Sequence, residues 1–484
     1  MKKAKIFAFV AFTFLCMTTF AQSKTSVPGL SFAKLDNGLE VFILENHNLP
    51  LTRIQITFRC GAYTQEPETA GLFHFYEHLL FKGNSVYKTE NQFSGAMSDL
   101  GVASWNGGTS AEYVTYFFTV PSDKTDEGLA FWSYAVKEPL FDEEEVEIEK
   151  GVVINEITGD LANPQRALWA AVQKNLYPKF PWRRDVIGTP DHINSATPEL
   201  MRQIQHKYYV PNNAAIFVAG DVNPKEVLTL VKKHYGDWEK SKPLPAMEPQ
   251  LMPAQSKPLY LVFEHESLPQ GLAAAELLYR GPDVIRTPEP TYAADVWGAL
   301  LASPTGKFKQ NMFDALPTLY EKNETSASYF TQRDGAEVYS TTLFLANGEV
   351  PLAQAAKDFQ KAFLDETKKM VADGDYFTAE EFAIVKRRLE DDQFWALENP
   401  ENFVESLSFW WSAASADYYF DYVKKMNGVS KADINKFLTD YVVNNVPIVL
   451  VITNPKDYAR EKAHFDKAGF LRITPENAFW WRNK

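Results

Sequence analysis

The chain has 484 residues, 45% hydrophobic and 23% charged, which suits two folded domains and excludes a wholly disordered protein. Its formal charge of -13 comes without the clustered Lys and Arg that nucleic acid or an anionic membrane surface would call for as a main partner.

The first residues, MKKAKIFAFVAFTFLCMTTFAQ, set Lys2, Lys3 and Lys5 before an apolar stretch from Ile6 to Phe14, with the small Ala21 where cleavage can fall. Residues 1-21 are therefore expected to be a secretory signal peptide. Cys16 follows the bulky Leu15, whereas a lipid-attachment signal wants a small residue there, so cleavage after Ala21 is the expectation. The mature chain would then keep one cysteine, Cys60, and no internal disulfide. No later apolar run reaches about 18 residues. These features predict an exported, soluble protein, most simply periplasmic, with no membrane contact after signal cleavage.

Next, GLEVFILE and LTRIQITFRCGA have strand composition, and PETAGLFHFYEHLLFKG has helical spacing with a closing glycine. VASWNGGTS and YVTYFFTVP follow as strands, then helices from about Thr125 to Val136 and from Asp142 to Asp160, further helices, and the strand AAIFVAGD. This is an α+β pattern, a mostly antiparallel sheet covered by helices. The proline-rich, aperiodic stretch from Lys240 to Pro258 reads as a linker near the middle. Beyond it, YVPNNAAIFVAGDVNPK (209 to 225) recurs as YVVNNVPIVLVITNPK (441 to 456), and VFILENHNLP (41 to 50) has a weaker echo in LVFEHESLP (261 to 269). Two similar domains related by internal duplication are expected, over 22-245 and 259-484, joined by 246-258. That register sets Asp295, Gly298 and Ala299 opposite His74, Glu77 and His78, so the histidine chemistry belongs to the first domain alone.

In GLFHFYEHLLFKGN, residues 71 to 84, His74, Glu77 and His78 share one helix face. Two imidazoles four apart can each offer a ring nitrogen to one zinc ion, and the carboxylate beside them can take a proton from a zinc-bound water. With 8 histidines in the chain, the full pattern arises by chance in roughly one chain in a hundred of this composition. A third ligand should come from another element. Glu149 and Glu156 lie seven apart, two helical turns, while Glu143, Glu144 and Glu145 read as a solvated helix start. Glu156 lies among Val152, Val153, Ile154 and Ile157, where an unpaired carboxylate would be costly and a metal would account for it.

These residues resemble the pitrilysin and insulysin family of zinc peptidases, the inverzincins. HFYEHLLFKG is similar to the family's metal helix, Glu156 sits 78 residues beyond His78, near the family's distance for its third ligand, and Glu149 matches the second acidic position. NGGTSAEYVTY, Asn106 to Tyr116, is similar to the edge strand that lines substrate in the family. The resemblance covers essentially the whole mature chain, and its length suits the short branch that resembles mitochondrial processing peptidase, in which two chains close around a chamber.

The resemblance implies an exported zinc endopeptidase acting on unfolded peptides, with one zinc per chain held by His74, His78 and Glu156. Glu77 is the implied base and Glu149 its acidic neighbour, and Asn106, Gly107, Thr109 and Glu112 lie along the substrate strand. The family's second domain usually offers an Arg and, seven residues on, a Tyr to the partner's active site. Here Tyr320 fits, but Phe313 stands where Arg is expected. A hetero-oligomer with a related subunit carrying the Arg/Tyr pair is therefore expected, otherwise a homodimer, with Lys309 or Arg333 as stand-ins for the missing Arg. The competing function is a non-catalytic scaffold or peptide-binding subunit. Metal storage has little support, because the other histidines (His47, His192, His206, His234, His265, His464) are scattered.

Overall fold

The computed structural model describes residues 27–482 apart from 245, 251–256, 331–332, 336 and 396. The expected signal peptide lies outside the described residues. Among the described residues no helix is long and apolar enough to cross a membrane.

Two six-stranded sheets form the frame. The first runs β1-β2-β6-β3-β5-β4 and the second β12-β7-β11-β8-β10-β9. In the first, β1 is Leu30–Lys34, β2 Glu40–Glu45, β3 Leu51–Phe58, β4 Ser104–Thr109, β5 Val114–Pro121 and β6 Ala214–Gly220. The second is built from β7 (Leu259–Glu264), β8 (Leu272–Arg280), β9 (Ser326–Phe330), β10 (Glu337–Leu345), β11 (Ile448–Thr453) and β12 (Leu471–Arg472). In both, one parallel pair, β2 with β6 and β7 with β11, adjoins an antiparallel run of strands. The duplication expected from the sequence echoes is thus present as a repeated strand order. Only the outer strand beside the parallel pair differs: β1 joins antiparallel from the start of the chain, and β12 joins parallel from its end. Both are short, 5 and 2 residues, and the sequence pattern marks no strand at either.

Each sheet buries one face under helices of its own half. On the first, α1 (Leu72–Leu80), α2 (Glu90–Asp99) and α3 (Thr125–Lys137) supply Phe73, Phe75, Leu79, Phe93, Phe131 and Trp132 to one core with Ile54, Ile56 and Phe118 of the sheet. The opposite faces are covered by exchange. The helix Pro400–Ala413, from the second half, lays Phe403, Leu407 and Trp411 on Phe42, Phe217 and Ala219 of the first sheet. In return α5 (Pro164–Leu176), from the first half, lays Leu168, Ala171 and Val172 on Leu261, Leu278 and Leu450 of the second. Sequence periodicity marks a helix's apolar face but not which sheet that face meets, so this interlock was not foreseen.

The helix that carries His74 and His78 begins later than its spacing predicts. Pro67–Thr69 forms a single tight turn, and α1 starts after Gly71, which has φ 89. A side chain at Gly71 would bring its Cβ within 2.4 Å of the Ile187 carbonyl oxygen, so glycine is required both by conformation and by close approach. Buried Gln65 accepts from the Gly71 N–H at 2.8 Å and donates to the carbonyls of Trp182 and Asp185 at 2.7 and 2.9 Å. The start of α1 and the segment that carries Ile187 are thereby fixed to each other.

Candidate metal centre

Leu72, Phe73, Phe75, Tyr76, Leu79 and Leu80 turn the apolar side of α1 into the core, which leaves His74, Glu77 and His78 on its partly open side. Facing them is α4 (Glu143–Ala162), started by the Asp142 carboxylate accepting from the N–H groups of Glu144 and Glu145 at 2.9 and 3.3 Å. Glu143 and Glu144 are solvated there, as their place at a helix start requires.

The structure brings His74, His78 and Glu156 together. His74 Nε2 and His78 Nε2 lie 3.2 Å apart, and Glu156 Oε2 is 3.8 Å from the first and 3.7 Å from the second. A zinc ion bound tetrahedrally at about 2.1 Å sets its ligand atoms about 3.4 Å apart, so this donor set fits in both spacing and chemistry. His78 Nδ1–H donates to Glu149 Oε1 at 2.7 Å, which fixes the tautomer and leaves the Nε2 lone pair for a metal. His74 Nδ1 is buried without a hydrogen-bond partner among the described residues.

Glu156, expected among buried aliphatics, is the more open of the two glutamates of α4. Glu156 is 44% exposed and Glu149 only 4%. The argument that Glu156 sits among buried aliphatics fails because α4 is apolar on two sides, and Val152 beside it faces solvent. The placement nevertheless points Glu156 at the imidazoles. Glu149 is held by His78 and by Lys82 Nζ at 2.9 Å. Burial alone would lift its pKa, but these two partners outweigh burial and lower it. Lys82 also reaches Glu90 at 3.1 Å. Lys82 lies in the turn just past the end of α1, four residues beyond His78.

Burial pushes the His74 imidazole down to about 4, helped by the charges of His78 and Arg166, so it stays a neutral donor at ordinary pH. For His78 burial pulls the same way, but the Glu149 hydrogen bond and the charges of Glu156, Glu149 and Glu77 prevail, and its pKa is raised. Glu77 is raised by burial, against the opposing hydrogen bond from Thr109 and the charge of His78, and the nearby Glu156 charge raises it further. A carboxylate shifted in this direction is a better proton acceptor than an ordinary surface glutamate.

β4 is the outermost strand on its side of the sheet, paired only with β5. Thr109 Oγ1 donates to Glu77 Oε2 at 2.7 Å, and Asn106 is exposed. Gly107 faces inward: a Cβ there would lie 2.9 Å from the Phe81 ring and 3.2 Å from Glu77 Oε1. The glycine thus lets β4 close on α1. Glu112 does not line this edge. Its carboxylate is buried, 3.6 Å from the Arg184 guanidinium, and accepts from the Arg333 backbone N–H at 3.4 Å. Tyr320 and Phe313 are exposed in the second half, and neither has a hydrogen bond or ion pair to the cluster among the described residues. Arg333 cannot stand in for the missing Arg as it lies, because its guanidinium donates to the Ala413 carbonyl at 2.9 Å and to that of Ser412.

A cavity of about 550 Å³ opens beside the cluster, bounded by His74, Glu77, Thr109 and Glu156 and, beyond them, by Asp160, Arg166, Val186 and Ile187. Among the described residues His74, His78 and Glu156 form the one such group of candidate ligands, with donor atoms all within 4.8 Å of one another.

The two-sheet frame thus carries a His-x-x-Glu-His helix whose imidazoles meet a glutamate from a following helix, a donor set that could hold a zinc ion. Residues 41–190 match the family description "Insulinase (Peptidase family M16)" and residues 195–389 match "Peptidase M16 inactive domain". The chain belongs to the insulinase family, peptidase family M16. It is 29% identical over 215 residues to an uncharacterized zinc protease, YmfH, of Bacillus subtilis, covering 42% of this chain and 48% of that one. It is 27% identical over 237 residues to human insulin-degrading enzyme, covering 47% of this chain and 23% of that enzyme. The chain spans about half, or less, of the length of the curated relatives it matches. Its fold is similar to that of a protease from Helicobacter pylori, with TM-score 0.72 at 19% identity, covering 88% of this chain and 100% of that one. It is equally similar to the first half of the periplasmic protease PqqL from Escherichia coli, with TM-score 0.72 at 18% identity, covering 91% and 96%.

Proposed function

We propose that the chain is an exported zinc-dependent endopeptidase that hydrolyses unfolded peptides, working in the periplasm with one zinc per chain. The observation that carries this reading is the meeting, on one face of α1, of a converging His74–His78–Glu156 donor set and a Glu77 carboxylate held beside it by Thr109. When bound, zinc acts as a Lewis acid that brings the pKa of a coordinated water to about 7.

The chain's own residues do the rest. Glu149 orients His78 and is itself kept charged by Lys82. Thr109 occupies Glu77 Oε2, which leaves Oε1 to take the proton of the attacking water and pass it to the departing amine. The free edge of β4 gives an extended peptide backbone groups to pair with, so affinity comes from the main chain and selectivity from side-chain pockets. Phe313 offers no charge to an oxyanion and Arg333 is engaged elsewhere. We therefore also propose a hetero-oligomer with a related subunit bearing both Arg and Tyr, with the homodimer as the competing assembly.

Elemental analysis of the purified chain, paired with digestion of a denatured protein with and without chelator, tests the reading. One zinc per chain and chelator-sensitive cleavage are expected. Stoichiometric zinc without cleavage, even with a family partner supplied, would favour the scaffold role.

A further inference from the structure

Two residues past α1, Lys82 Nζ lies 2.9 Å from Glu149 Oε2 and 3.1 Å from Glu90 Oε2, the latter at the start of α2. The other oxygen of Glu149, Oε1, accepts from His78 Nδ1 at 2.7 Å. Each oxygen of this buried carboxylate therefore has its own partner, and little solvent is at hand to replace either. A carboxylate held at one oxygen can still turn about its side-chain torsions, whereas one held at both has its plane fixed, and with it the direction of the imidazole bonded to it. The turn that carries Lys82 is itself tied down. Lys82 N–H donates to the Leu79 carbonyl at 3.1 Å, and the Gly83 carbonyl accepts from the Leu140 N–H at 3.2 Å. Buried Asn84 accepts from the Val86 and Tyr87 N–H groups, both at 2.9 Å.

We propose that Lys82 is a positioning residue for the metal: through Glu149 it holds the His78 imidazole toward the point shared with His74 and Glu156, and so raises the zinc affinity of the site. The inference rests on the zinc site proposed above. Among the described residues the ion pairs of Lys82 run to Glu149 and Glu90, not to His74, His78 or Glu156. Its charge by itself acts the other way, because a cation close to a divalent ion repels it. Only the hold on Glu149 makes Lys82 favourable to zinc, so the sign of the change on removing Lys82 separates the two effects. Glu90 has a lesser part, since it is 55% exposed and water can take its place on the ammonium.

Titration of the full-length chain with zinc against a competing chelator reads the affinity with no cleavage, and hence with no partner subunit. Lys82→Met should weaken zinc binding about tenfold, the low end of what losing a group outside the ligand set costs. Lys82→Arg keeps the charge and a donor, and should stay within about threefold of the parent. In a Glu149→Gln background, Lys82→Met should change the affinity by less than about twofold, because the group through which it acts has gone. Zinc binding by Lys82→Met as tight as the parent's or tighter, or an Arg variant as weak as the Met one, overturns the inference and leaves the zinc peptidase reading standing. So does a loss of equal size in the Glu149→Gln background, which would make Lys82 a support of its own turn and nothing more. A parent chain that binds no zinc overturns both.

Discussion

The helices α1 and Glu289–Leu301 occupy matching places in the two halves, each lying across its sheet beside the outermost strand, yet among the described residues only α1 contributes to a candidate metal-ligand cluster. Where α1 sets Glu77 against Thr109 of β4, its counterpart sets Gly298 against β9, with Ser328 Oγ 3.3 Å from where a Cβ would be. Asp295, opposite His74 in register, accepts from the Tyr422 hydroxyl at 3.0 Å, and burial pushes its carboxyl up to about 7. Beside it Val296, Trp297 and Leu300 fill the core. The same strand order is therefore stable with or without a metal-binding face. The candidate site in the first half consists of a few polar side chains, and in the second half the places of Glu77 and His78 are held by Gly298 and Ala299.

The sharpest way to break that contrast is Glu77→Gln. With the metal ligands untouched, zinc should stay while cleavage falls by about 10²–10⁴-fold, the usual contribution of a positioned base; parental turnover would remove Glu77 from proton transfer. A somewhat smaller gain is expected from giving the second half what it lacks. Phe313→Arg should raise the rate of the self-assembled chain about a hundredfold, since one oxyanion donor is commonly worth that much, and steady-state kinetics giving no gain would take position 313 out of the active site.

Next come the two glutamates of α4. Glu156→Gln should remove a ligand and release most of the zinc, whereas Glu149→Gln should weaken zinc binding about 10- to 100-fold, as expected of a group that orients a ligand. Equal affinities by competitive titration would contradict the division of roles. The smallest effect belongs to the metal-free half. The Asp295 carboxyl has a folded pKa above its unfolded value of 3.8, so the unfolded chain loses that proton first as pH rises. Stability should fall as pH rises from about 4 to 7. Asp295→Asn should flatten that part of the melting temperature profile, and an unchanged slope would show that Asp295 is not the group responsible.

Much of this was legible beforehand for identifiable reasons. Alternation and β-branched content marked β2, β3, β5 and β6, helical spacing marked α1 and α4, and repeated strings marked β6 with β11 and β2 with β7. The metal face was readable because three ligand-type residues on one turn depend only on local geometry. What escaped depends on tertiary placement. Glu112 meets Arg184 across the fold, Asp160 pairs with Arg166 around the break at Pro164, and the exchange of α5 for Pro400–Ala413 is a choice between two apolar faces of like composition. Glu149 and Glu156 show the same limit, since seven-residue spacing put both toward α1 but could not say which one is buried.

The central claim, that α1 and Glu156 build a working zinc peptidase site, is tested most directly by mass spectrometry of products from a mixed peptide library, with and without chelator, on the zinc-loaded chain together with a family partner carrying Arg and Tyr. The account predicts internal cuts in unfolded peptides that vanish with chelator and return when zinc is restored. Cuts that persist in chelator, or a zinc-loaded assembly that leaves every peptide whole, would contradict it.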